Sequence, residues 1–452
     1  MRRVRQESRL RWPAALWLLA SSAGLAPATP ARGAAVETPG PLRSDRYLSA
    51  ELLSGPDWKV EPEAATDGFG VSYAVTSRFG TWPARGRTQV ATRISEIRAL
   101  AQLEEVSKTD VFVDAVKTSV TAPLRLVSSF ADNPKETLKG IPSGVGRWFK
   151  KTSFQVKEGY HDTKQAVSKD GQAEGEAKEG DKQLKEKGKE EATRYALNYL
   201  RISGAERNWY AKLQVDPYTD NQLLRDAVTS VARVEGLTSF GMKFVGLPGI
   251  PGAREIRRTM EIVWTTDPWE LRMNNRKKLL AMGFTEETAR AFEDNPWISL
   301  SLQTALVQAL ESLAGVGGRE HLIERAIDVE SRQEASTLVS SVLLLERYHR
   351  QQGPLAEFLA GARLPVARTA KGELVTLALA DALFWTGPVA EGAGEFAAIY
   401  AEDPSKVRLF YVAGEASPGF VAGARELGWE VHDRWQLSAA EDAAPAPPPA
   451  GR

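Results

Sequence analysis

Between residues 157 and 194 the chain loses the means to build a core. Lysine and glutamate dominate, Gly171, Gly175, Gly180 and Gly188 interrupt them, and large apolar residues are nearly absent. Such a stretch buries too little apolar surface to offset the entropy of ordering it. Its finely mixed charges can form (i, i+4) pairs on a solvated helix, but each glycine costs about 1 kcal/mol against alanine. Residues 157–195 therefore read as a charged linker or frayed helix, and the folded units are expected on either side of it.

On the N-terminal side, residues 58–62 and 70–79 alternate apolar and polar side chains, the period of half-buried strands, with a turn signal at Thr66, Asp67 and Gly68. The period then changes. Val90, Ile94, Ile97 and Ala101, with Leu100 and Leu103 beside them, form one helical stripe that leaves Arg93, Glu96 and Gln102 elsewhere on the wheel. A second helix is expected from about Asp110, burying Phe112, Val116 and Val120. Residues 36–156 thus read as an α+β unit.

Beyond the linker, residues 196–352 read as a helical middle domain. Apolar residues recur at helical spacing over residues 218–233, 255–264, 269–282, 285–293, 298–313 and 320–350. From Gly353 the pattern turns to a small α/β domain, residues 353–437, in the order ββαβαβ. A hairpin turns at Lys371 and Gly372, helices follow over 389–400 and 418–427, and strands over 407–412 and 429–435. The expected fold class is therefore mixed: an N-terminal α+β unit, a helical middle domain and a C-terminal ββαβαβ domain. The Ala/Pro tail, residues 438–452, has nothing to pack and is expected to be disordered.

One local device recurs. Asn133, Asp216, Asp267, Asn295, Asp403 and Ser417 each precede a proline. A short polar side chain can accept from the free amides of a first helical turn, and proline in that turn gives up no bond. Each pair is read as a helix start, which already accounts for the aspartates without a catalytic role. Residues 279–292, with Met282, Gly283 and Phe284 at their centre, resemble the Met-Gly-Phe turn of ubiquitin-associated domains. A helix, a glycine stop and a capped second helix generate the same string, and that junction is the reading adopted.

Residues 1–35 read as a secretory signal. Five arginines and one glutamate lead into a short apolar stretch, 12–26, and small residues offer cleavage after Ala28 or Ala35. The chain is expected to be exported, to the periplasm in a Gram-negative cell and otherwise to the exterior. Without this segment, which holds six arginines and one glutamate, the remainder is mildly acidic, which argues against nucleic acid as a partner. No later stretch is apolar enough for a transmembrane helix. The chain has no cysteine and four histidines, none closely paired, so thiolate chemistry, disulfides and histidine metal sites have little to work with. No cofactor, metal or catalytic set is assigned.

Function is read as non-enzymatic binding to an envelope protein or surface. The contact is placed on Arg147, Trp148, Phe149, Lys150 and Lys151, which mix aromatic and basic groups as protein and membrane interfaces do. Peripheral membrane contact is the alternative use of that segment. A second Gly/Pro segment, residues 246–252, reads as a packed connector or an exposed contact loop. The rival function is a periplasmic hydrolase or transferase using carboxylates of the C-terminal domain, with Asp381, Asp403 and Glu415 first in line because ligands of open α/β sheets gather at the strands' carboxyl ends. Ser417 lies where a nucleophile elbow would sit, with His432 as its base. Glu415, however, stands where the elbow needs glycine, so Ser417 is read as a helix cap.

Overall fold

A computed structural model describes residues 34–107, 202–234 and 253–435. Residues 1–33 of the signal, the second N-terminal helix, Asn133, Arg147–Lys151, the charged linker, the 246–252 connector and the terminal tail lie outside the described residues. The fold is mixed, with twelve α-helices and several sheets among the described residues.

The N-terminal region builds a five-stranded antiparallel sheet, in which β1 (Leu42–Arg43), β3 (Glu63–Thr66), β4 (Val71–Ser77) and β2 (Trp58–Val60) are neighbours in that order and β5 (Gly80–Arg85) pairs with β4. β5 begins where the sequence pattern of alternation stops, and it holds Pro83 without breaking the pairing. A 3-10 turn (Ser44–Arg46) and α1 (Ala50–Leu53) precede β2, and α2 (Gly86–Ser107) follows β5. α2 buries Val90, Ile94, Ile97, Leu100 and Leu103 as its stripe requires. It also buries Arg93 and Glu96, which the helical wheel had left outside. The reason is a second layer on that side: α3 (Gly204–Leu213) and α4 (Gln222–Ala232) join α2 and the sheet in one apolar core through Trp209, Leu213, Leu224 and Val228.

The remaining helices are α5 (Ala253–Thr265), α6 (Pro268–Ala281), α7 (Glu286–Glu293), α8 (Leu300–Ser312), α9 (Arg319–Ile327) and α10 (Arg332–Gln351). α3 escaped the sequence pattern despite its capping box, in which the Ser203 hydroxyl accepts from the Glu206 amide and the Glu206 carboxylate accepts from the Ser203 amide. The single helix expected over 320–350 is two. Ser331 caps α10 by accepting from the Glu334 amide, and the buried Asn295 amide group donates to the carbonyls of Ala326, Ile327 and Val329, closing the end of α9. Gly283, at φ +94°, makes the stop between α6 and α7, so residues 279–292 are the helix–glycine–helix junction.

Of the five polar–proline pairs within the described residues, two start helices: Asp267 caps α6 and Ser417 caps α12 (Pro418–Glu426). The other three do not. Asp216 closes a turn and Asn221 caps α4 instead; Ser299 caps α8 beyond Asn295; Asp403 accepts from the Ser405 amide in a loop. Each was recruited by a contact remote in sequence.

Asp216 is only partly exposed. Its Oδ1 accepts from the Tyr218 amide at 2.9 Å and from the Ser301 hydroxyl at 2.5 Å. Loss of solvent raises its pKa from 3.8 to about 6. The folded state thus binds a proton more tightly than the unfolded chain does. The resulting stabilisation is complete below pH 3.8 and is lost as pH rises through about 6. Asp216→Asn keeps the accepting oxygen and removes the titration. Urea unfolding from pH 4 to pH 7 is expected to show the parent losing up to about 1.4 kcal/mol per pH unit across this window and the variant staying flat. Parallel curves would mean that Asp216 is solvated.

The C-terminal region keeps the expected order and extends it. β6 (Leu355–Leu359), β7 (Val366–Thr369), β8 (Leu374–Ala378), α11 (Gly387–Ile399), β10 (Arg408–Val412), α12 and β12 (Glu430–His432) form a sheet of order β12-β10-β8-β7-β6. ββαβαβ is thus corrected by one further strand, β6, and by a short parallel ladder of β9 (Ala382–Leu383) with β11 (Glu415–Ala416). β10 runs parallel to β8 and β12, while β7 is antiparallel to β8 and β6. Alternate residues serve two cores: Leu374, Ala378, Phe410 and Val412 face Phe396 of α11 and Phe420 of α12, whereas Val375, Leu377, Leu409 and Tyr411 share a core with Leu338, Leu345 and Tyr348 of α10. A sheet covered on both faces explains the continuous apolar runs in β8 and β10.

Candidate functional site

The carboxyl ends of β8 and β10 meet the N-terminal sheet, and the polar groups of both regions converge there. Asp381, three residues past β8, is 3% exposed. Its Oδ2 accepts from the Tyr73 hydroxyl of β4 at 2.8 Å and from the Arg87 amide at 2.9 Å, and its Oδ1 from Arg87 Nε at 2.8 Å. Arg87 stands in the first turn of α2. Burial, then the negative charge of Asp381, pushes the Tyr73 phenol far above its ordinary range. The main chain closes the same junction. The Phe384 amide donates to the Gly68 carbonyl at 2.8 Å and the Glu415 amide to the Asp381 carbonyl at 2.9 Å. Gly414 touches the Asp381 carbonyl so closely that a Cβ there would sit 2.1 Å from the oxygen, and only glycine fits.

Glu415, on β11, is held from both sides. Arg46 reaches its Oε2 at 2.7 Å, and Arg434, beyond β12, reaches its Oε1 at 3.1 Å. Partial burial would raise its pKa, but the hydrogen bonds from the two arginines outweigh it and hold the carboxyl below its usual range. Tyr47 lies beside this pair, its phenol raised by burial and by the negative charges of Glu415 and Asp381 against the opposing charge of Arg46.

The start of α12 carries its own anion. Glu37 Oε2 accepts from the Ser417 hydroxyl at 2.5 Å and from the Trp385 amide at 2.6 Å, while the Glu37 amide donates to the Trp385 carbonyl at 2.8 Å. A carboxylate at a helix N-terminus is favoured by the free amides and the dipole. The anion at this turn belongs to a residue 380 positions away in the chain. Ser417 Oγ also accepts from the Phe420 amide at 3.0 Å, which makes it the cap. His432 is engaged elsewhere, stacked on Tyr411 with ring centroids 4.8 Å apart.

Asp403 belongs to a different place. It precedes β10, so it lies at the amino end of the parallel strands. Arg368 of β7 binds its Oδ2 at 2.7 Å, and the Ser405 amide donates to its Oδ1 at 2.9 Å. Arg368, outweighing partial burial, holds this carboxyl well below the usual range. The three carboxylates set aside from the sequence are therefore not one group: Asp381 and Glu415 share the carboxyl end, and Asp403 is at the other. Arg46, Tyr47, Tyr73, Arg87 and Glu37, the residues that complete the cluster, carry no local signal, because their partners lie hundreds of positions away. Chemically, the cluster is a set of satisfied ion pairs. Each carboxylate accepts from an arginine or from several donors.

Among the described residues no group of three or more acidic or histidine side chains is spaced to hold a metal ion, and no helix is long and apolar enough to cross a membrane. Trp264, in the last turn of α5, is buried and donates from Nε1 to the Val215 carbonyl at 2.9 Å, Trp297 is partly buried, and Trp269 is 60% exposed. No protein family, curated protein or solved structure matches this chain.

Proposed function

We propose that the chain is an exported, non-enzymatic envelope protein that binds another protein or a surface. One observation carries the reading. The carboxyl end of the parallel strands, where an α/β enzyme would hold its substrate, is occupied by the chain's own N-terminal region through Tyr73, Arg87, Arg46 and Glu37. A general acid or base must exchange its proton near the working pH, and Asp403 and Glu415 are both held below that range by arginines. In this reading the contact segment is Arg147, Trp148, Phe149, Lys150 and Lys151.

The rival, a hydrolase or transferase working through Asp381 and Glu415, is favoured by their common position and requires the arginine pairs to open. Affinity purification of the tagged protein from gently cross-linked envelopes, run beside a panel of ester, phosphate and glycoside substrates, separates the two. The expected result is a near-stoichiometric partner that is lost when Trp148, Lys150 and Lys151 become alanine, with no turnover of the panel. Turnover that disappears in Glu415→Gln would establish the rival.

A further inference from the structure

α6 is apolar on two sides. Its inner side buries Pro268, Leu271, Asn275 and Leu279, with Leu271 packed against Tyr218, Val263 and Leu300. Its outer side carries Trp269, Met273 and Leu280, which are 60%, 43% and 41% exposed. At about 100° per residue these three positions fall within an arc of roughly 40°, a stripe about 16 Å long. A solitary exposed apolar residue is ordinary, but three of the five large ones exposed among the described residues share this stripe.

The charges beside the stripe indicate what covers it. Arg272 and Arg276 are taken by Glu293, and Lys278 by Glu311. Glu270 and Lys277 remain, exposed on the same flank and unpaired within the chain. They are seven residues apart, about 10 Å along the axis, too far to meet each other. A second α6 laid antiparallel, with a two-fold axis beside Met273, reverses that order. Glu270 then faces Lys277 of the other copy and Lys277 faces its Glu270. The same operation brings Trp269 within about one turn of Leu280 of the other copy and sets the two Met273 side chains together beside the axis. An acid and a base in this register are self-complementary under a two-fold, the arrangement an isologous interface needs. A lipid surface would call instead for a flank of unpaired cations.

We propose that the outer face of α6 is a homodimer interface, with two copies packed antiparallel through Trp269, Met273 and Leu280 and flanked by two Glu270–Lys277 pairs. One helix face buries less than the roughly 1,200 Å² of a standard complex, so the dimer is weak and its population depends on concentration.

Sedimentation velocity on the purified chain, over a concentration series through the micromolar range, is the test. The weight-average mass is expected to rise from monomer towards dimer. Trp269→Ala should hold the chain monomeric. Lys277→Glu alone, or Glu270→Lys alone, should weaken association by about tenfold or more, because each sets like charges face to face. The double variant, Glu270→Lys with Lys277→Glu, should return the affinity to within about threefold of the parent, since the swapped charges again match under the two-fold. All three substituted side chains are exposed, so circular dichroism and thermal unfolding serve as controls for folding. A parent that stays monomeric throughout, or a dimer indifferent to Lys277→Glu, overturns the proposal. So does a monomeric chain that pellets with phosphatidylglycerol vesicles and ceases to do so as Trp269→Ala, which would assign the face to lipid.

Discussion

Arg93→Met is expected to cost about 3–5 kcal/mol of stability, because it strands a buried carboxylate. The Arg93 guanidinium, on α2, donates to Glu96 Oε2 at 2.9 Å and to both oxygens of Asp220 at 2.6 and 3.0 Å. The Arg93 and Glu96 side chains are 7% and 2% exposed. Without the arginine, Glu96 keeps hydrogen bonds from the Thr219 hydroxyl and the Asn221 amide group but no opposite charge. Asp220, at 44% exposure, can turn to water. Adding Glu96→Gln should recover most of the loss, since glutamine keeps an oxygen for those donors and carries no charge. Asp220→Asn alone should cost no more than about 1 kcal/mol, the scale of an exposed pair. Urea unfolding followed by hydrogen exchange of the α2 amides reads all three. A double variant no better than Arg93→Met would mean that the loss comes from packing of the arginine stem and not from the stranded charge.

The second large effect falls at the seam between the N-terminal sheet and the C-terminal α/β region. Asp381→Ala removes the acceptor of three hydrogen bonds at once and leaves the Tyr73 hydroxyl fully buried without a partner. An unmatched buried donor costs about 1–3 kcal/mol, and the abandoned Arg87 charge brings the expected loss to about 3 kcal/mol or more. The loss should be local. Proteolysis is expected to open the seam and release the N-terminal sheet while the core shared by α10 and β8 survives. Asp381→Asn, which still accepts from Tyr73, should lose less. If Asp381→Ala unfolded the whole chain in one step with no protease-resistant piece, the seam would be integral to a single cooperative unit.

Much of the helix and strand content follows from periods visible in the residues themselves. The stripe Val90, Ile94, Ile97 and Leu100 is buried on α2, and the apolar runs of β8 and β10 are covered on both faces. Caps are legible when they act on the next turn, as Asp267 and Ser417 do. The same pattern misleads at Asp216, Asn295 and Asp403, whose side chains were drawn into longer-range contacts: Asp216 takes the Ser301 hydroxyl, Asn295 holds the end of α9 and Asp403 binds Arg368. A polar side chain followed by proline is the same signal in every case. Whether it caps depends on which donors tertiary packing brings near.

Residues 36–107 and 353–435 carry their strand and helix periods in their own order, and the lack of cysteine rules out disulfides whatever the fold. The candidate cluster is another matter. Asp381 and Tyr73 are 308 positions apart, Ser417 and Glu37 are 380, and Arg46 and Glu415 are 369. No period or spacing rule spans such intervals, because periodicity records only which side of an element meets an apolar neighbour, not which neighbour it is. Arg93 and Glu96 fall off the apolar stripe of the wheel, and α4 and the turn before it close over them. The sequence by itself determined most of the elements and their apolar faces, though not α3, β6 or the break between α9 and α10. Only the tertiary structure decided which charges were desolvated and paired, and that α6 kept a second apolar face uncovered, since desolvation depends on the whole surrounding surface and not on any one segment.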